Sequence, residues 1–251
     1  MSLRGRVAIV TGAATGIGRA IALAFGREGA AVAVDHLGQD SDAAEVAAQI
    51  RQVGGAALVI EADVTDPAQV ERLIVQTVQQ FGHVDILVNN AAFQQKVELL
   101  ETPLDLWDKT LATNLTGPWL CLQAAARQMA AQGEGGQILN ISSVHEDLAV
   151  PANIAYCAAK GGLRMLMRSA AAELAAHRIT VNNIAPGAIE TPMTAHVHAQ
   201  AGLLDRLLNK IPLHRMGRPE EVAELAVYLA AEAASVTGQT FLIDGGLSRG
   251  G

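Results

Sequence analysis

Ser143, Tyr156 and Lys160 are the residues of this chain whose types and spacing can move a proton. A tyrosine and a lysine four positions apart fall on one face of a helix, so a phenol and an ammonium can meet at one point. The serine lies thirteen residues upstream of the tyrosine, directly after the apolar run Gln137-Ile138-Leu139-Asn140-Ile141. From the end of a strand its hydroxyl can converge on the same spot. A phenol to give or take the proton, a cation beside it and a hydroxyl to hold the reacting oxygen make a general acid/base set.

The elements that position these groups follow from the apolar pattern. Val7-Ala8-Ile9-Val10, Ala31 to Val34, Ala57 to Ile60, Val84 to Val88, Ile138 to Ile141, Ile179 to Ile184 and Thr240 to Ile243 are short β-rich runs. Between them lie helical stretches over 19–25, 41–53, 67–81, 103–131, 153–177 and 219–231, with Asp66 as an N-cap before Pro67. A proline costs a helix interior roughly 3 kcal/mol, so Gly117-Pro118 predicts a kink or break near Asn114. Seven strands alternating with six helical stretches predict a doubly wound α/β fold, a parallel sheet with helices on both faces. No composition shift or repeat divides the chain, which reads as one domain over 1–251 with a polar, lid-like stretch at 188–218.

Composition limits the partners. The 251 residues are 50% hydrophobic, and the formal net charge of −7 argues against nucleic acid or an anionic membrane as the main partner. The apolar run before Thr11 is too short for a signal-peptide core or a membrane span, so a soluble cytoplasmic protein is expected. Cys121 and Cys157 have no metal-knuckle spacing, and His196, His198 and His214 have no paired acidic ligand pattern, so no metal is expected. The cysteines read as packing residues in a reducing compartment.

A second constellation lies at the other end of the reaction. Thr11-Gly12-Ala13-Ala14-Thr15-Gly16-Ile17-Gly18 joins the first strand to the first helix. Missing side chains there let a pyrophosphate approach the backbone, and a helix N-terminus favours its charge. Asp35, after the second strand, is placed to accept the ribose hydroxyls of a dinucleotide.

The spacing Thr-Gly-x-x-x-Gly-x-Gly, with Asn89-Asn90-Ala91, Asn114, Ser143, Tyr156-x-x-x-Lys160 and Pro186-Gly187, resembles the short-chain dehydrogenase/reductase family from about Arg6 to Gly246. Ser142-Ser143-Val144-His145-Glu146 and the run from Asn183 to Pro192 look most like the bacterial glucose 1-dehydrogenases of that family. The resemblance implies a Rossmann-type seven-stranded sheet and hydride transfer between a nicotinamide and a secondary alcohol or its carbonyl. Tyr156 would be the acid/base, and Lys160 would lower its pKa and hold the nicotinamide ribose. Ser143 would hold the substrate oxygen, while Asn114 would position a water linking Lys160 to solvent.

The cofactor-binding set implied is Gly12, Thr15, Gly16, Ile17, Gly18, Asp35, His36, Asp63, Val64, Asn90, Ala91, Tyr156, Lys160, Pro186, Gly187, Ile189 and Thr191. By family spacing the ribose-selective acid falls one residue after Asp35, at His36. Thr15 stands where NADP-preferring relatives carry Arg or Lys, and Leu37 supplies no cation, so NAD is favoured over NADP. Ala92 replaces the glycine of Asn-Asn-Ala-Gly, which would cost about 1 kcal/mol if that backbone needs positive φ.

Gln94, Gln95, Ser143, His145 and Glu146 are the expected substrate contacts and suit a small sugar or polyol, although glucose-dehydrogenase-like chains carry an acid where Gln94 stands. The resemblance further implies a homotetramer, with apolar surface near Leu120 and around Leu163 to Met167 as candidate contact. Two rivals stand beside the sugar reading. One is a 3-oxoacyl-[acyl-carrier-protein] reductase, which predicts NADPH preference and a basic docking patch. The other is a catalytically silent dinucleotide-binding regulatory protein, against which the intact Asn114, Ser143, Tyr156 and Lys160 argue.

Overall fold

The apolar runs become one seven-stranded sheet of order β3-β2-β1-β4-β5-β6-β7, with every pair of neighbours parallel. The strands are β1 Val7–Val10, β2 Ala31–His36, β3 Ala56–Glu61, β4 Ile86–Asn89, β5 Gly136–Ile141, β6 Ile179–Pro186 and β7 Thr240–Ile243. Parallel neighbours require crossovers, and helices supply them. These are α1 Gly16–Arg27, α2 Asp40–Gln52, α3 Pro67–Phe81, α4 Leu104–Leu111, α5 Gly117–Gln132, α6 Ile154–Leu174, α7 Leu203–Leu208 and α8 Pro219–Ala231. The computed structural model describes residues 1–195, 197 and 202–249. Among them, no helix is long and apolar enough to cross a membrane.

Side chains alternate across the sheet and feed two cores. Val32 and Val34 join Ile21 and Phe25 of α1, Val46 and Ile50 of α2, and Val222 and Ala226 of α8. Ala33 points the other way, to Leu73 of α3, Cys121 and Met129 of α5 and Met167 of α6. Both faces of the sheet are therefore covered, as its continuous apolar strands require.

Local chemistry sets the ends of the helices. The Asp66 carboxylate accepts from the Ala68 and Gln69 amides at 2.8 and 3.4 Å, Pro67 takes the first helical position, and Gly82 ends α3 at φ 92°. Pro118 is the second residue of α5. The turn before it, Ala112–Thr116, widens into a π-helix, so the expected break is a local expansion and α4 runs on into α5.

Other expectations change. Helix α1 begins at Gly16, inside the glycine motif, with Thr15 as its extended N-cap residue. The polar stretch 188–218 contains a 3₁₀ turn at Pro192–Thr194 and the short α7. Ala92 is not among the positive-φ non-glycine residues, which are Ala152, Arg178 and His214 among those described. Its Cβ therefore brings no backbone strain, and the cost tied to positive φ does not arise there.

Candidate active site

In a doubly wound sheet a crevice opens where the strand order reverses, beyond the carboxyl ends of the strands. Here β1 and β4 flank that point. The Thr11 hydroxyl accepts from the Asn90 and Ala91 amides at 2.9 and 3.0 Å, and the Asn90 Nδ2 donates to the carbonyls of Thr11 and Gly12 at 2.9 and 3.0 Å. Gly12 and Gly16 take φ of 61° and 55°. A Cβ on Gly12 would stand 3.0 Å from the Ala91 Cα, one on Gly16 would press on Thr191, and one on Gly18 would overlap the Asn90 amide and the Gly12 carbonyl. No side chain caps α1, and its first turn holds no acid. Bare main chain with an uncapped helix N-terminus fits the phosphates of a dinucleotide.

These residues open into a cleft of about 1410 Å³ that runs past the ends of β1, β4, β5 and β6. Gly12, Thr15, Gly16, Ile17, Asp35, Asp63, Val64, Asn90, Ala91, Pro186, Gly187, Ile189 and Thr191 all line it. Gly18 and His36 do not. Gly18 acts from behind, as the close-contact point under Asn90.

The two residues at the end of β2 separate by face. Asp35 is 1% exposed, and its Oδ2 accepts from the Gly12 amide at 3.2 Å while the buried Oδ1 has no partner. Burial outweighs the amide hydrogen bonds and pushes the carboxyl up to about 8. His36 points to the opposite side, where its Nδ1 accepts from the Gln39 amide at 3.2 Å. The expectation of a cofactor-reading His36 is therefore corrected, because successive strand residues face opposite ways and Asp35 takes the cleft side. Asp63 lines the cleft while one of its oxygens holds the Thr65 amide and hydroxyl at 2.8 and 2.7 Å, a turn-building role.

At the other end of the cleft, α6 presents Tyr156 and Lys160 on one face, 8% and 2% exposed, opposite Ser143 at the start of the 3₁₀ turn Val144–Glu146. The Lys160 Nζ donates to the Ile141 carbonyl at 2.9 Å and lies 5.5 Å from the Tyr156 ring centre. Burial pushes the phenol up to about 12, against the lowering pull of the Ser143 hydroxyl. Lys160 is not among the groups that lower it, so the expected depression of the Tyr156 pKa is absent from this arrangement. Burial also pushes the Lys160 ammonium down to about 8, with Glu146 acting against that fall. At neutral pH the set is a protonated phenol with a hydroxyl partner and a charged lysine. That state can deliver a proton to a carbonyl oxygen.

Asn114 sits in the π turn and is fully buried. Its Nδ2 donates to the Phe93 and Thr110 carbonyls at 2.7 and 2.9 Å, and its Oδ1 accepts from the Phe93 amide at 3.3 Å. Both amide donors are taken and the side chain does not line the cleft, which leaves the second lone pair of Oδ1 as its remaining side-chain hydrogen-bonding capacity.

Of the expected substrate contacts, Gln94, Ser143 and His145 line the cleft. The Gln94 amide donates to Asn153 at 2.7 Å, and the His145 ring meets Tyr156 edge-on at 6.2 Å. Glu146 is turned away from the cleft, with its carboxylate buried beneath the turn, and so is corrected as a substrate contact. The exposed Gln95 does not line it either. Sequence reasoning missed Lys96, Lys109 and Asn153 on the wall. Lys109 lies 4.2 Å over the Phe93 ring, a contact between distant segments that no local motif signals.

His196 and His198 lie outside the described residues. Among the described residues no group of three His, Cys, Asp or Glu side chains could hold a metal. Within α6, Leu163 and Met167 are buried in the protein's own core and Met165 is 60% exposed. Gly162 lets Leu115 pack closely on that helix.

Comparison with known proteins adds to this geometry. Residues 12–248 match a family model described as enoyl-(acyl carrier protein) reductase. The chain is 41% identical over 250 residues to a short-chain dehydrogenase/reductase of Hericium erinaceus, with 98% of each chain covered. It is 39% identical over 249 residues to glucose 1-dehydrogenase 2 of Bacillus subtilis, covering 98% of this chain and 96% of that one. Among solved structures, a gluconate 5-dehydrogenase from Burkholderia cenocepacia in complex with NADP and tartrate matches with TM-score 0.93 and 37% identity, over 98% of this chain and 96% of the other.

Proposed function

The chain belongs to the short-chain dehydrogenase/reductase family, and on that premise we propose that it interconverts a secondary alcohol and its carbonyl with NAD or NADP, a sugar or polyol being the favoured substrate. The observation that carries the reading is the convergence of Ser143, Tyr156 and Lys160 on one wall of the cleft whose far end is the glycine cradle. When bound, the nicotinamide cofactor supplies or accepts the hydride.

The chain's own residues do the rest. Ser143 holds the substrate oxygen beside the Tyr156 phenol, which donates its proton in reduction and recovers one in oxidation. Lys160 keeps a positive charge next to that exchange and is placed to hold the cofactor ribose. Asn114 ties the π turn to Phe93 in the loop after β4, so that the neighbouring Ala92 and Gln94 keep their place on the wall. Burial of the site excludes water that would otherwise screen these charges.

Asp35 at the adenosine end supports NAD, since an ionised carboxylate repels a 2′-phosphate. The same carboxyl, neutral near pH 7, carries no such charge, and a relative holds NADP, so both cofactors belong to the proposal. Cytoplasmic location, assembly as a homotetramer and a single domain whose 188–218 segment closes over the cofactor complete it. Exposed Leu99, Leu100, Leu104 and Trp119 offer apolar area for subunit contact.

A second reading, a 3-oxoacyl-[acyl-carrier-protein] reductase, is favoured by one feature. Lys96 and Lys109 are exposed at the cleft, where an acidic carrier would dock. A steady-state screen of sugars, polyols, sugar acids and 3-oxoacyl thioesters with the four nicotinamide cofactor forms decides between them. Turnover of a sugar or polyol with either cofactor supports the first reading; efficient thioester reduction with a clear NADPH preference replaces it with the second.

A further inference from the structure

Glu146 is a buried carboxylate that the proposed reaction does not use, and it ends a network of buried polar side chains. Its Oε2 accepts from the Ser142 hydroxyl at 2.6 Å and from the Asn183 Nδ2 at 3.1 Å. Asn183 is the end of a ladder that crosses three strands. The Asn89 Nδ2 donates to the Asn140 Oδ1 at 2.9 Å, and the Asn140 Nδ2 donates to the Asn183 Oδ1 at 2.9 Å. Every amide in that series donates toward Glu146, so each polarises the next in the same sense and the series terminates on the carboxylate. The Oε1 has no hydrogen-bond partner and stands 3.5 Å from the Arg164 Nε, likewise without one. Arg164 is shared, because its Nη1 pairs with Asp147.

This carboxylate lies beneath the proposed catalytic groups. The Glu146 amide donates to the Ser143 carbonyl at 3.0 Å, so the residue closes the turn that carries Ser143. The next element it touches is α6, where Arg164, four residues after Lys160, brings its Nε to 3.5 Å from the Glu146 carboxylate, and where a Cβ on Gly161 would stand 3.7 Å from the Glu146 carbonyl. Resting on the function proposed above, we infer that Glu146 is a positioning residue: it pins the Ser143 turn to the sheet through Ser142 and Asn183, and supplies the buried counter-charge of Lys160. It touches neither substrate nor cofactor and acts through those two side chains.

The charge environment of Lys160 bears this out. Its own helix contributes Tyr156 and Arg164, and the turn contributes Glu146. The other elements packed on α6 are β6, α4, the π turn, α5 and the 3₁₀ turn Ala175–His177, and no charged side chain of theirs among the described residues, His177 included, shifts it. Burial pushes the ammonium down, and among the described residues Glu146 is the charge that pushes it up.

Glu146→Gln tests the inference, since the amide oxygen can still accept from Ser142 and Asn183 while the charge is gone. The primary readout is the titration of the Lys160 ammonium, followed by NMR of the intact protein labelled in its lysine side chains. The expected result is a midpoint at least half a unit lower in Glu146→Gln than in the wild type, with Glu146→Asp restoring part of the difference. Where Glu146→Gln does not fold, Glu146→Asp alone gives the answer through a smaller fall. In the active enzyme the alkaline limb of the kcat/KM profile moves down with that midpoint, so the loss is several-fold at pH 9 and slight at pH 6.5. A Lys160 midpoint and pH profile that do not move overturn the inference. Wild-type protein that turns over no carbonyl substrate while the midpoint still shifts overturns the functional reading and leaves the charge pairing standing.

Discussion

Replacing Gly18 with alanine strikes the cofactor cradle through one methyl group. Gly18 has an ordinary helical backbone, so the new Cβ meets no φ penalty, and alanine in α1 gains about 1 kcal/mol of helix propensity. Against that gain, the methyl overlaps the Asn90 amide and the Gly12 carbonyl. Asn90 must swing away and release its two hydrogen bonds to Thr11 and Gly12, each worth about 0.5–1.5 kcal/mol. The loss of about 1–3 kcal/mol outweighs the helix gain and the overlap with the Gly12 main chain adds to it, so global stability should fall by roughly 1–3 kcal/mol. Cofactor affinity has no such offset, because the displaced groups form the phosphate cradle itself. At 1.4 kcal/mol per tenfold, the dissociation constant should weaken by roughly 10- to 100-fold. Calorimetric titration with the reduced cofactor and urea unfolding read the two effects separately. Gly54→Ala is the control: its φ is +87° and a Cβ there meets nothing, so it should cost about 1–2 kcal/mol of stability and leave affinity unchanged. A Gly18→Ala protein that binds cofactor as tightly as wild type would refute the reasoning.

Two predictions concern pH. Because Tyr156 is pushed up to about 12, the phenolate needed for alcohol oxidation grows with pH, and oxidation rates should climb toward alkaline pH while carbonyl reduction does not; opposite slopes in the two directions at saturating substrate are the check. Asp35 holds its proton up to about 8 in the folded chain, against 3.8 as the ordinary value. The folded state thus binds a proton that the unfolded state has lost, and the group's contribution to stability is full below pH 3.8 and falls away as pH rises through 8. Asp35→Asn should flatten urea-unfolding stability across that window and be the more stable protein at pH 9; an unchanged pH dependence contradicts the burial argument.

The sheet and its helices were legible because each strand is a short apolar run bounded by turn residues, and because caps such as Asp66-Pro67 and Gly82 act locally. The convergence of Tyr156 and Lys160 was legible for the same reason, as a four-residue spacing already fixes one helix face. What could not be read depended on distant segments. The alternation of β2 requires Asp35 and His36 to part, but only the packing of α1 and α2 against Val32 and Val34 decides which face His36 takes. Glu146 beside His145 looked like a second substrate contact. Its true partner, Asn183, comes from β6, and adjacent residues of a tight 3₁₀ turn point apart. Asn114 was found as a residue, but the partner that takes its amide, Phe93, comes from the loop after β4, a distant segment.

The central claim is that the Tyr156 phenol transfers the proton. Tyr156→Phe removes one hydroxyl from a buried ring and leaves the cradle at Gly12, Gly16 and Asn90 intact. On the substrate found by the screen, kcat should fall by roughly 10²- to 10⁴-fold, the range for a general acid. The cofactor dissociation constant, measured by titration on the same protein, should stay within about threefold of wild type, a change of less than about 0.7 kcal/mol. Undiminished turnover by the phenylalanine variant would contradict the account.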